Sequence, residues 1–283
     1  MIRRFIKLIP MIRFISRARL WLLILKRLQG TAIKFQLGLI ASAIADTIMF
    51  SFHPSVAISP QSHFSGIVHS RKFNCSWKVR GSTDDIYNVM PEREGDVHKL
   101  ICSSLKQGDI FVDVGANIGY YTVLASKLVG LGGIVIAFEP MSQTFQYLEM
   151  NCRLNDLRNV TLIPKAAWHE ECTLPLYFSS GCYGMASMTK SGGDSISVKT
   201  IPLDIIREPY SHIKMLKIDA EGAEYQILRG ANLTLSKTDY LILECSEDCD
   251  KLMELLRGNG FNIRKLGFTT YIQAQNRRSI RNR

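Results

Sequence analysis

Nine residues, Phe111 to Gly119 (FVDVGANIG), restrict the fold more than any other stretch of the chain. A short apolar run carries a single acid, Asp113, and Gly115 and Gly119 follow at once. The next segment, YYTVLASKLVG, repeats apolar side chains at helical spacing. The order is a buried strand, a tight glycine turn and a helix start, as in nucleotide-binding α/β domains. Glycines suit such a turn because a ligand across the strand's carboxyl end must lie against bare backbone.

The chain downstream repeats that pattern. Apolar strands are expected over 110–114, 134–138, 160–164, 215–218 and 240–244, with closing strands at 262–266 and 270–273. Helices are expected over 118–129, 144–155, 224–229 and 250–257, and an earlier one over 94–105. The alternation implies an α/β fold, a mostly parallel central sheet with helices on both faces. It breaks down between 174 and 203, a Gly- and Ser-rich insert expected to cross the mouth of the site. Short strands are expected over 64–80, and the stretch 53–63, with two prolines and several serines, reads as a linker. Two regions follow: a helical extension, 1–55, and an α/β domain, 64–275.

The glycine turn excludes common cofactors. A dinucleotide fingerprint needs glycines at relative positions one, three and six, and those positions hold Gly115, Asn117 and Tyr120. No GK[ST] is present, so a P-loop is excluded too. A turn without a phosphate cradle, preceded by a carboxylate, suits S-adenosylmethionine (SAM), which carries a sulfonium cation, a ribose and an amino-acid tail but no phosphate. Glu139 closes the second strand (IVIAFEP), where a carboxylate can accept both ribose hydroxyls. A third element, KMLKIDAEGAEYQILRG (214–230), places Asp219, Glu221 and Glu224 within six residues at another strand's end. Asp219 or Glu221 can serve as general base on a hydroxyl, or the acids can hold a divalent metal. The plainer alternative is that Asp219 caps the turn and that Glu221 and Glu224 favour the helix N-terminus, the better reading for Glu224.

These segments together resemble the FkbM family of SAM-dependent methyltransferases, a branch of the class I Rossmann-like fold. The resemblance rests on 108–122 (GDIFVDVGANIGYYT), 137–140 (AFEP), 159–167 (NVTLIPKAA) and 217–231 (KIDAEGAEYQILRGA), with 79–89 (VRGSTDDIYNV) upstream. It implies that Asp113, Gly115, Asn117 and Gly119 form the SAM turn, that Glu139 binds ribose, and that Ala166 and Ala167 lie near adenine. It also implies O-methylation of a sugar, glycan or similar small-molecule hydroxyl. A non-catalytic SAM-binding or membrane-bound scaffold is the alternative, and an apolar lining beside Asp219 and the insert would favour a lipid or polyketide acceptor over a sugar.

Charge is unevenly placed. Residues 1–45 hold nine Lys/Arg and no acid, and 264–283 hold six and none. Taking these from the chain's 35 leaves twenty bases against all 25 acids. A mildly acidic body argues against nucleic acid as partner. Basic, apolar ends suit an anionic membrane surface or a helix capping the domain. The apolar run 20–25 is too short to span a bilayer, and 35–52 carries Gln36 and Asp46. A single crossing would also leave the domain outside, away from SAM. The expectation is a cytoplasmic protein, peripheral on the inner face of the membrane. Seven scattered cysteines without a CxxC pair read as core thiols, with neither structural zinc nor a disulfide framework.

Overall fold

The computed structural model describes residues 2–53, 59–179, 183–206, 212–245, 247–267 and 270–278. It comprises two compact units, residues 1–93 and 94–283.

The first unit opens with α1 (Ile2–Arg27), a two-residue strand β1 (Gln29–Gly30) and α2 (Ile33–Phe52). The hairpin β2 (Gly66–Ser70) and β3 (Cys75–Val79) follows, then one turn of helix, α3 (Asp85–Asn88). β1 pairs antiparallel with β2, so the helical extension and the expected 64–80 strands share one small sheet. Five residues of the expected linker, 54–58, lie outside the described residues. Two buried ion pairs fix this unit: Arg17 Nε donates to Asp46 Oδ2 at 2.6 Å, and Arg80 Nη2 to Asp85 Oδ1 at 2.7 Å. Trp21 Nε1 also donates to Asp46. A buried carboxylate needs such partners, because desolvating it alone costs several kcal/mol.

The second unit begins with α4 (Gly95–Ser104), β4 (Ile110–Val114), α5 (Tyr120–Val129), β5 (Ile134–Phe138), α6 (Ser142–Leu154) and β6 (Val160–Ile163). Next come β7 (Ala166–Ala167), β8 (Thr173–Phe178), β9 (Asp194–Ile201) and β10 (Ile213–Ile218). The unit closes with α7 (Glu224–Arg229), α8 (Asn232–Ser236), β11 (Thr238–Glu244), α9 (Cys249–Gly258), β12 (Phe261–Lys265) and β13 (Tyr271–Asn276). Seven strands form the main sheet in the order β12-β13-β11-β10-β4-β5-β6. Five of them, β6 to β11 across the sheet, run parallel, and β13 pairs antiparallel with both β11 and β12. From β4 the chain winds outward through β5 and β6, then returns to β10 on the other side. The β4–β10 seam is therefore the topological switch point, where α/β sheets hold ligands. Phe111, Val112 and Val114 of β4 and Met215, Leu216 and Ile218 of β10 are all buried, as a sheet covered on both faces requires.

In the insert 174–203, where the alternation breaks down, β8 and β9 form an antiparallel hairpin, with β9 also pairing parallel to β7. The sequence hid it because Gly and Ser dominate the loop between the two strands. The helix after the glycine turn starts at Tyr120 rather than 118, since Asn117 (φ 51°) and Gly119 (φ 90°) keep the turn left-handed. Cys245 and Cys249, read as thiols, form a disulfide across the turn into α9, their Cα atoms 5.4 Å apart.

Candidate active site

At the carboxyl end of β4 the chain must turn sharply beside the loop leaving β10. Asp219 N donates to Val114 O at 3.1 Å, and Gly115 N and Ala116 N both donate to Phe138 O. Gly115 (φ 76°) is so close to this neighbouring loop that a β-carbon would overlap the Asp219 carbonyl oxygen. Only glycine fits both the dihedral and the space. Asn117 adopts a left-handed conformation that asparagine tolerates, and its Oδ1 accepts from Ile118 N at 2.8 Å.

Glu139, leaving β5, is held by two backbone donors. Its Oε2 accepts from Asn117 N at 2.9 Å and its Oε1 from Met141 N at 3.0 Å. The resulting cavity is lined by Gly115, Asn117, Glu139, Ala166, Ala167, Asp219 and Glu221, together with Phe138 and Pro140. From the insert, Leu176, Gly184, Ala186 and Met188 add apolar and small side chains. Among the described residues, the lining holds three carboxylates and no lysine or arginine.

Two of the expected turn residues stand back from the cavity. Gly119 caps α5 and does not line it. Asp113 lies beneath the turn, 1% exposed, its Oδ2 accepting from Thr122 Oγ1 at 2.7 Å. Burial raises its carboxyl above the usual range, and the charge of Lys217 partly offsets that. Lys217 is one residue that the sequence reading missed. It is 1% exposed and sits opposite Asp113 in the β4–β10 register. Its Nζ lies 3.1 Å from Asp219 Oδ2 and 3.8 Å from Asp113 Oδ1, with the Tyr121 ring 5.3 Å away. Burial would push this ammonium down, but Asp219 and Asp113 more than offset it and hold the pKa above that of an ordinary lysine. Tyr271, from β13, donates to the same Asp219 oxygen at 2.8 Å.

A family model described as the methyltransferase FkbM domain matches residues 113–263, more than half of the chain. The chain belongs to the FkbM methyltransferase family. It is 28% identical over 173 residues to the hexuronic acid methyltransferase AglP of Haloferax volcanii, covering 60% of this chain and 70% of that protein. It is 29% identical over 196 residues to the 31-O-demethyl-FK506 methyltransferase FkbM of Streptomyces tacrolimicus, covering 56% and 75%. The methyltransferase sdnD of Sordaria araneosa is 26% identical over 169 residues, covering 48% and 65%. The seven-stranded sheet is accordingly the class I methyltransferase Rossmann-like fold.

In this FkbM methyltransferase the acids after β10 separate into distinct roles. Glu224 is buried and its Oε1 accepts from Ala220 N and Gly222 N, the helix-start role anticipated for it. Glu221 instead lines the cavity, in a left-handed conformation (φ 52°) that is strained for a glutamate. The insert grips its backbone: Ser187 Oγ donates to Glu221 O at 2.7 Å. Burial, then the nearby charges of Asp219 and Glu244, push its carboxyl up to about 7. Asp219, Glu221 and Glu244 bring carboxylate oxygens within 4.8 Å of one another, a donor set of the type that hard divalent cations take.

Proposed function

We propose that this methyltransferase uses SAM to methylate a hydroxyl of a sugar or similar small molecule. When bound, SAM supplies an electrophilic methyl group on a sulfonium. The cavity fits it: a lining with three carboxylates and no lysine or arginine among the described residues favours a sulfonium and disfavours phosphate, and Glu139 is oriented for a ribose diol. Ala166 and Ala167 leave a shallow apolar wall that suits an adenine ring.

The observation that carries hydroxyl chemistry is Glu221. A carboxylate at the cavity wall with a pKa of about 7 can take the proton of an alcohol as the methyl group is transferred, near the operating pH where such a base works best. Asp219, fixed by Lys217 and Tyr271, stands beside it. Alignment of acceptor and cofactor supplies much of the remaining rate. A divalent cation held by Asp219, Glu221 and Glu244 would serve the same deprotonation by lowering the hydroxyl's pKa.

The relatives named for hexuronic acid and for a demethylated polyketide set the acceptors to try. Leu176, Ala186 and Met188 favour an acceptor with an apolar face. The test is transfer of a radiolabelled methyl group from SAM to hexuronic acids and hydroxylated polyketides, beside titration calorimetry with S-adenosylhomocysteine. Binding with base-stable, hydroxyl-linked product supports the reading. No binding at millimolar concentration sinks the cofactor claim, and product on nitrogen or carbon sinks the O-methyl claim.

A further inference from the structure

The whole formal charge of the chain resides in its first unit. Residues 1–93 hold fourteen of the 35 Lys/Arg and four of the 25 Asp/Glu, whereas 94–283 hold twenty-one of each. Of the four acids, Asp46 is tied to Arg17 and Asp85 to Arg80 inside the unit, and Glu92 pairs with Arg27 at the surface. What solvent meets is therefore strongly cationic.

The helix pair is also apolar on the wrong side for a water-facing surface. α2 buries Ser42, Asp46, Thr47 and Ser51 together with Phe35 and Leu39. Its opposite side exposes Ile33, Leu37, Ile40, Ile44 and Ile48, at steps of four, three, four and four, an unbroken helical stripe. A surface helix normally shows its polar residues there. Between α1 and α2 runs an apolar trough of about 360 Å³, lined by Phe14, Trp21, Leu22, Leu25, Ile44 and Ile48. At Leu25 it meets a second hollow, lined by Lys26, Arg27, His69, Arg71 and Lys72.

We propose that this unit lies in the plane of a bilayer, its isoleucine stripe in the acyl boundary and the Lys26/Arg71/Lys72 hollow on anionic lipid headgroups. α2 is long enough to span, at 20 residues and mean hydropathy 1.5, but its ion-paired Asp46 and buried hydroxyls face protein while only one side is apolar, which is an in-plane arrangement. Charge selects the occupant. A second copy would bring an equally cationic face against this one, whereas an anionic leaflet attracts it. Nucleic acid would leave the stripe exposed to water, since phosphate contacts come from polar and charged groups.

The test is sedimentation of the full chain with phosphatidylcholine vesicles, with and without about 30% phosphatidylserine. Binding to the anionic vesicles alone, weakened by 0.5 M salt, is expected. Charge reversal at Lys26, Arg71 and Lys72, all solvent-exposed, should lower partitioning by at least about fivefold per residue. Ile40→Ser with Ile44→Ser should lower it without changing the melting curve. The salt titration of the unaltered chain decides the matter should either variant fold poorly. Equal binding to neutral vesicles, no binding to either, a dimer by analytical ultracentrifugation without vesicle binding, or capture of an oligonucleotide instead of vesicles would each overturn the proposal. Millimolar inorganic phosphate should leave vesicle binding intact; displacement by it reassigns the hollow to a free anion.

Discussion

Gly115 and Asp219 are more than a hundred residues apart in sequence, yet the first has no room for a β-carbon because the carbonyl of the second occupies that space. The two loops at the sheet's switch point are thus one packed object. Gly115→Ala must move the 219–221 loop and force a left-handed alanine, the latter alone costing about 1–2 kcal/mol. The expected result is loss of S-adenosylhomocysteine binding in calorimetry together with a lower melting temperature. Unchanged affinity would show that the loops are not coupled as described.

Lys217→Met keeps the length of the side chain and removes its charge. It leaves Asp113 and Asp219 without their common cation, and breaking a buried pair in this way costs about 3–5 kcal/mol. An acid whose folded pKa lies above its unfolded value stabilises when protonated and loses that stability as pH rises through the folded pKa. With Lys217 gone, Asp113 moves further in that direction. Urea denaturation should therefore show the largest deficit at neutral pH, narrowing as pH falls toward 4.

A general base must be ionised. Turnover of the unaltered enzyme should fall as pH drops through about 7, the pKa to which Glu221 is pushed. Glu221→Gln should lower kcat by about 10²–10⁴-fold and remove that limb, with S-adenosylhomocysteine affinity retained. For stability the sign is opposite: the raised pKa favours the folded chain when Glu221 is protonated, an advantage lost as pH climbs from 4.5 toward 7. The glutamine variant should therefore gain in melting temperature relative to the parent above neutrality. A limb that survives the substitution moves the role to Asp219.

Glu139→Gln presents an amide nitrogen to one of the two backbone donors, Asn117 N or Met141 N, that the carboxylate satisfies. It also weakens a charge-assisted acceptor for the ribose. Hydrogen bonds to charged groups contribute about 1.5–3 kcal/mol, so affinity for S-adenosylhomocysteine should drop by at least about tenfold. A change confined to the acceptor's KM would mean that Glu139 faces the other substrate.

The sequence announced what is local. Strand, glycine turn and helix at 110–129, the acid after β5 and the acids after β10 are each contiguous patterns with one mechanical meaning. What stayed hidden depends on register and distance. Lys217 becomes significant only when the β4–β10 pairing sets it opposite Asp113, although a lysine inside the apolar run MLKI was a usable signal. Tyr271 reaches Asp219 across 52 residues through the antiparallel strand β13. The β8–β9 hairpin was masked by a flexible composition, and Asp113 looked like a ligand because burial cannot be read from its neighbours alone.

Ser187 Oγ, from the segment between β8 and β9, holds the carbonyl of Glu221, and a β-carbon at Gly222 would lie 2.8 Å from Thr189 Oγ1. The segment that brings Gly184, Ala186 and Met188 to the cavity wall thus also holds the backbone of the proposed base. Grafting this segment between relatives would carry acceptor preference and reactivity together. A chimera that omits the serine should bind a new acceptor yet turn it over slowly, and restoring that one hydroxyl should return the rate before any further redesign of the pocket.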